Sequence, residues 1–198
     1  MAQEQQQQVW SNAAPWGIMA VAVLTACLGS VLTGLVPASS VPLLIGIVLS
    51  CSLPQLIASI IAFRRGEILL ATILGLFGTV ITLGAVFTMW IQIFAAPAPG
   101  AFTAEIMAFF WITLFVITEV FAIGFGRMSW FLMAGIAEVG VMFLFLGLFA
   151  LLGAPALNLI AGILSFLFAA FCIYAPSAIL LAEHFQRPIL PLGRPVFK

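Results

Sequence analysis

Six apolar stretches, each long enough to cross a bilayer as a helix, run the length of this chain. Every Lys and Arg falls in alternate connections between them. Arg64 and Arg65 follow the second stretch, Arg127 the fourth, and Arg187, Arg194 and Lys198 the sixth. The connections after stretches one, three and five carry neither residue type. A spanning helix needs about 20 apolar residues at a rise of about 1.5 Å each. Positively charged loops are retained on the cytoplasmic side, so the pattern predicts a multi-pass protein of the plasma (inner) membrane with both termini cytoplasmic.

Composition supports the same fold class, an all-α membrane protein of six transmembrane helices. Of 198 residues, 65% are hydrophobic and 6% charged, where a soluble domain carries roughly 25% charged residues to solvate its surface. The lipid bilayer must therefore be the main solvent. The expected organisation is a disordered cytoplasmic tail over 1–11, a transmembrane domain over 12–186 and a cytoplasmic tail over 187–198. Gln5–Gln8 has no positively charged stretch before it, which argues against a cleaved signal peptide. A formal net charge of zero gives no reason to expect nucleic acid.

Nothing in the chain suggests an enzyme. Asp is absent, and no Ser-His-Asp, HExxH or phosphate-cradling motif is present. Cys27, Cys51 and Cys172 lie in apolar stretches without metal-ligand spacing and read as small buried hydrophobes. His184, beside Glu183, reads as a solvated interfacial side chain. No metal or cofactor is expected.

The stretches run over about 16–36, 41–63, 68–94, 103–125, 129–152 and 156–182. Asn12 can cap the first, and Pro15 fits its first turn, where a missing N–H is harmless. Pro54 and Pro176 fall inside the second and sixth, where each kinks a helix and frees a carbonyl. Residues 95–100 form an outside loop, and Gly126-Arg127-Met128 makes a tight turn. Trp16, Trp90, Trp111 and Trp130 fall toward span ends, where indoles favour the interface. Each half holds three spans, so a repeat would give inverted three-helix halves, an architecture in which transport sites often form near the midplane. The mid-span prolines are its only internal hint.

Glu119 and Glu138 lie several residues inside the fourth and fifth stretches. A charge at the bilayer centre costs about 2.5–3.5 kcal/mol on insertion scales. Each must therefore face protein or water, or stay protonated. Each reads either as a proton-titrating pore group or as an interhelical tie, and Glu119 lies about two turns from Arg127. The glycines of stretches one, three and five read as close helix contacts without chemistry.

Three strings resemble the acetate uptake transporters of the YaaH (SatP) type. Residues 12–19, Asn-Ala-Ala-Pro-Trp-Gly-Ile-Met, are similar to that family's N-P-A-P-L-G-L-M opening of helix one. Residues 55–66, from Gln55 through Arg64-Arg65-Gly66, resemble its Q-I-I-A-G-I-x-E-F-K-K-G. Residues 183–193 match its closing E-x-F-G-R-x-x-L-P-x-G, with Ala161-Gly162 and Ile173-Tyr174 in register between. The resemblance implies a homohexamer whose protomers each carry a pore for acetate or succinate. It also implies an apolar constriction made by a Phe of helix one, a Tyr of helix three and a Leu of helix five.

At those places this chain differs. Val21 stands where the Phe is expected, and Leu74 replaces the Tyr within Ile73-Leu74-Gly75-Leu76-Phe77. The Leu position falls near Val139 or Met142, beside Glu138. An aliphatic constriction without a phenolic donor is expected, with Asn12, Gln55 and Glu138 as substrate-binding or pore-lining groups. The expected function is a channel or proton-linked transporter for acetate or a related small monocarboxylate. The alternatives are a channel for a neutral solute such as urea or an amide, and a membrane scaffold that transports nothing.

Overall fold

The computed structural model describes residues 10–95 and 105–197. The expectations for residues 1–9, for most of the 95–100 loop and for Lys198 lie outside them. Six helices form the described chain: α1 Ala14–Leu32, α2 Val41–Arg64, α3 Ile68–Phe94, α4 Glu105–Phe125, α5 Trp130–Leu152 and α6 Pro155–Phe185. All six are long and apolar enough to span a membrane, and the described residues contain no strand.

Local chemistry sets the helix ends. The Ala14 N–H donates to Asn12 Oδ1 at 3.0 Å, and Pro15 sits in the first turn of α1. That helix stops at Leu32, short of the expected Val36, and Gly34 follows in the left-handed region at φ 75°. Ser129 caps α5 by accepting the Leu132 N–H at 3.0 Å, and Gly153 ends it at φ 65°. Helix α6 runs three residues beyond the expected Ala182 and ends on Gln186 at φ 54°.

Helix α3 is not uniform. It is α-helical over Ile68–Leu76, π-helical over Phe77–Leu83, α-helical over Gly84–Trp90 and π-helical again over Ile91–Ala95. The Thr82 hydroxyl donates to the Gly78 carbonyl at 2.7 Å, supplying an i−4 bond of the kind that π spacing gives up. Gly78 sits where a Cβ would meet Gln55 Cβ and the Leu56 backbone nitrogen at 3.1 Å, so α2 and α3 approach closely there.

Extensive packing joins α4 to α5 and α1 to α6, and the α1–α2, α2–α3 and α5–α6 contacts continue the ring. The ring closes lightly between α3 and α4, with Leu69 against Gly124, and α1 also meets α3 lightly. At the α1–α6 seam, a Cβ on Gly29 would lie 3.0 Å from the Gly162 carbonyl oxygen, and Asn158 Nδ2 donates to the Leu32 carbonyl at 3.1 Å. Such backbone approach gains dispersion, the main attraction between helices in lipid. Trp16, Trp90 and Trp130 are exposed, whereas Trp111 is partly buried and stacks on Phe143.

Both described chain ends meet one rim of the bundle. Arg65 Nη1 donates to the Trp10 carbonyl at 2.7 Å across the α2–α3 turn. The C-terminal segment crosses the α4–α5 turn: Val196 N–H donates to Gly126 O at 2.8 Å, and Trp130 N–H to Arg194 O at 2.9 Å. Tyr174 ties the same segment to α6 by donating to Pro191 O at 3.0 Å. Residues Arg64, Arg65, Arg127, Arg187 and Arg194 all belong to this rim.

Candidate functional site: a blind apolar cavity

From the arginine rim a cavity of about 180 Å³ enters the bundle. One water needs only about 10–15 Å³ of such space, so a small solute has room. Asn12, Glu67 and Met128 stand at its mouth. Its walls come from one face each of α1, α3, α5 and α6, with Phe125 at the end of α4. Ile18 and Val21 of α1, and Leu70, Leu74 and Phe77 of α3, recur at helical spacing. Leu132 and Ile136 of α5 face Phe168, Phe171 and Cys172 of α6. Below the mouth the wall is apolar except for the Cys172 thiol. Pro176, buried in α6, lacks the N–H that would otherwise take the Cys172 carbonyl.

Aromatic side chains pack behind the Phe77 wall of the cavity. The Phe77 and Phe143 rings lie 6.0 Å apart, Phe143 stacks on Trp111 at 5.4 Å, and Phe110 meets Trp111 edge-on at 4.9 Å. Counting residues from the rim ends of α5 and α4 puts Phe143 and Trp111 about 20 Å deep. Buried Ile81, Leu114 and Leu146 pack into the same core.

The residues singled out by sequence fall into two sets. Asn12, Val21 and Leu74 line the cavity, the last two only 5% and 4% exposed. Val139 and Met142 are buried in the core, and neither they nor Gln55 and Glu138 line the cavity. Met142 Sδ accepts from the Ser165 hydroxyl at 3.1 Å. Gln55 is fully buried; its Nε2 donates to the Cys51 carbonyl at 2.8 Å, and its Oε1 has no partner among the described residues.

Both Glu138 carboxyl oxygens are likewise buried without a partner among the described residues. Glu119 presses its buried Oε1 against Gly140, and that oxygen too lacks a described hydrogen-bond partner. Three polar groups are thus set into the bundle beside the cavity rather than on its wall.

Sequence reasoning passed over Phe77, Phe168, Phe171 and Glu67. A signal existed for Phe77, which closes the string Ile73–Phe77 and lies one turn beyond Leu74 on the same face. Its presence makes the end of the cavity part aromatic, where an aliphatic constriction was expected. For Phe168 the neighbouring spacing to Phe171, Ala175 and Ile179 marks one face of α6, but an apolar face of a spanning helix reads equally well as lipid-facing.

The six spanning helices form a multi-pass membrane protein with a narrow apolar cavity between them. The chain belongs to the GPR1/FUN34/YaaH family, whose profile matches residues 1–192. Its fold matches the structure of the bacterial acetate channel SatP with a TM-score of 0.84 and 21% sequence identity, over 92% of this chain and 99% of that one. No curated protein matches it in sequence.

Proposed function

We propose that this protein is a channel or transporter for acetate or a related small monocarboxylate, which crosses as the neutral acid or together with a proton. The observation that carries this reading is the cavity: a polar mouth at Asn12 and Glu67, then apolar walls ending at Val21, Leu74 and Phe77. A bare carboxylate among such walls loses hydration that nothing there replaces, whereas the neutral acid loses far less. The likeness in fold to an acetate channel supports the substrate class.

In this reading Asn12 meets cargo at the mouth, and Val21 and Leu74 narrow its path. Val139 and Met142, buried in the core behind those walls, narrow the route beyond the cavity from the α5 side. Gln55 and Glu138, whose buried oxygens have no hydrogen-bond partner among the described residues, serve the route beyond the cavity. The arginine rim is cytoplasmic by the positive-inside rule, and the protomers assemble as a homohexamer in the inner membrane, each with its own route.

A second reading, a channel for a neutral solute such as urea, draws on the lack of Lys or Arg inside the described spans other than Arg64 at the rim end of α2. Competition in proteoliposomes separates the two. Excess unlabelled acetate should suppress labelled acetate exchange while urea does not. Protein-dependent exchange of labelled urea but not of labelled acetate favours the neutral-solute channel, and exchange of neither favours a scaffold.

A further inference from the structure

The cavity wall carries one carboxylate, Glu67, and it stands at the mouth that an anionic substrate must pass. Its charge is not left bare. Arg65 Nε and Nη2 both reach Glu67 Oε1, each at 2.8 Å, and Arg65 Nη1 is occupied by the Trp10 carbonyl at 2.7 Å. The guanidinium fork is thus held in place by an acceptor on either side. Both side chains are about a third exposed, at 29% and 33%, so water screens the pair only in part.

We propose that Arg65 is a specificity-determining residue for anionic cargo: by pairing with Glu67 it cancels the carboxylate at the cavity mouth and lets a second carboxylate enter. The inference rests on the monocarboxylate reading above. Without Arg65, Glu67 repels the approaching anion before it can take up a proton or shed its water. Arg127 lies on the same rim, next in sequence to the lining residue Met128. The effect is electrostatic, so it must weaken as salt rises, since the Debye length falls from about 30 Å at 0.01 M to about 3 Å at 1 M.

The test is equilibrium exchange of labelled acetate by the full-length protein in vesicles, with Arg65→Gln, Glu67→Gln and the double variant, at ~0.01 M and ~1 M impermeant salt. Arg65→Gln should slow exchange on the order of three- to tenfold at low salt, and clearly less at high salt. Adding Glu67→Gln should return the rate to within about twofold of the unaltered protein. An unchanged rate in Arg65→Gln overturns the inference. So does a double variant as slow as the single one at both salts, because Arg65 would then act by holding Trp10. If the unaltered protein exchanges no acetate above protein-free vesicles, the monocarboxylate reading itself fails and the inference falls with it.

Discussion

Phe77 and Phe143 meet with ring centroids 6.0 Å apart and planes tilted by 52°, and the cavity goes no further. Phe77 is also the first residue of the π-helical part of α3. Single π turns inside α-helices recur at functional sites because they change the register of every residue that follows. A side chain that both ends the cavity and opens a π segment is well placed to gate it. Shortening Phe77 should raise acetate flux and admit longer monocarboxylates such as butyrate, measured as flux ratios in proteoliposomes. An unchanged butyrate-to-acetate ratio would count against a gate at this ring.

Phe143 should behave differently. It is 2% exposed and touches both Phe77 and Trp111. Phe143→Ala removes the centre of the aromatic cluster, and large-to-small changes of this kind cost about 3–5 kcal/mol in soluble cores. A clear drop in melting temperature in detergent is expected, larger than that of Phe77→Ala.

The α1–α6 seam should tolerate no added bulk. A Cβ on Gly162 would fall 2.6 Å from Thr33 Cγ2 and 3.0 Å from the Thr33 backbone nitrogen. Overpacking typically costs about 1–3 kcal/mol. Gly162→Val should therefore lower the melting temperature, while Gly46→Val, at a position with open space around it, should leave it unchanged.

These contacts show what the sequence could and could not reveal. Six spans were legible because 20-residue apolar runs and the arrangement of Arg64, Arg65, Arg127 and Arg187 are long-range signals that survive any local irregularity. The Asn12 bond and the Pro15 turn were legible because a helix start depends on its own few residues. The π segments of α3 were not, because they depend on the fit of Gly78 against Gln55 and Leu56 of another helix. Trp111 looked like an interfacial anchor from its place in the chain, yet it turns inward because Phe143 offers it a ring. Glu138 could be recognised as costly from sequence, but its position beside the cavity rather than on the cavity wall could not.

The C-terminal strap should control access from the arginine rim. It ties the α4–α5 turn to α6 through Val196, Arg194 and Pro191, and residues of both elements line the mouth. Cys172, a free thiol on the cavity wall, is a native reporter. With Cys27 and Cys51 changed to Ser, ending the chain at Gln186 should speed Cys172 labelling by a small uncharged thiol reagent several-fold. Tyr174→Phe, which loses a hydrogen bond worth about 0.5–1.5 kcal/mol, should speed it less. Equal labelling in all three proteins would show that the strap does not guard the mouth.

Glu138 has two buried oxygens without a partner among the described residues, and the described spans hold no Lys or Arg other than Arg64 at the rim end of α2. If it handles a proton during transport, Glu138→Gln should flatten the pH dependence of acetate uptake while leaving the melting temperature near that of the unaltered protein. A silent Glu138→Gln change would reduce the residue to an interhelical spacer.

Uptake of labelled acetate by purified protein in vesicles, compared at pH 5 and pH 7.5 against protein-free vesicles, bears on the proposed function most directly. Carboxylic acids of this type titrate near ~4–5, so the neutral fraction, already a minority at pH 5, falls by orders of magnitude on going to pH 7.5. Protein-dependent uptake well above the lipid background, and much faster at pH 5, is the expected result. Uptake no greater than in protein-free vesicles at either pH would contradict a monocarboxylate route through this bundle.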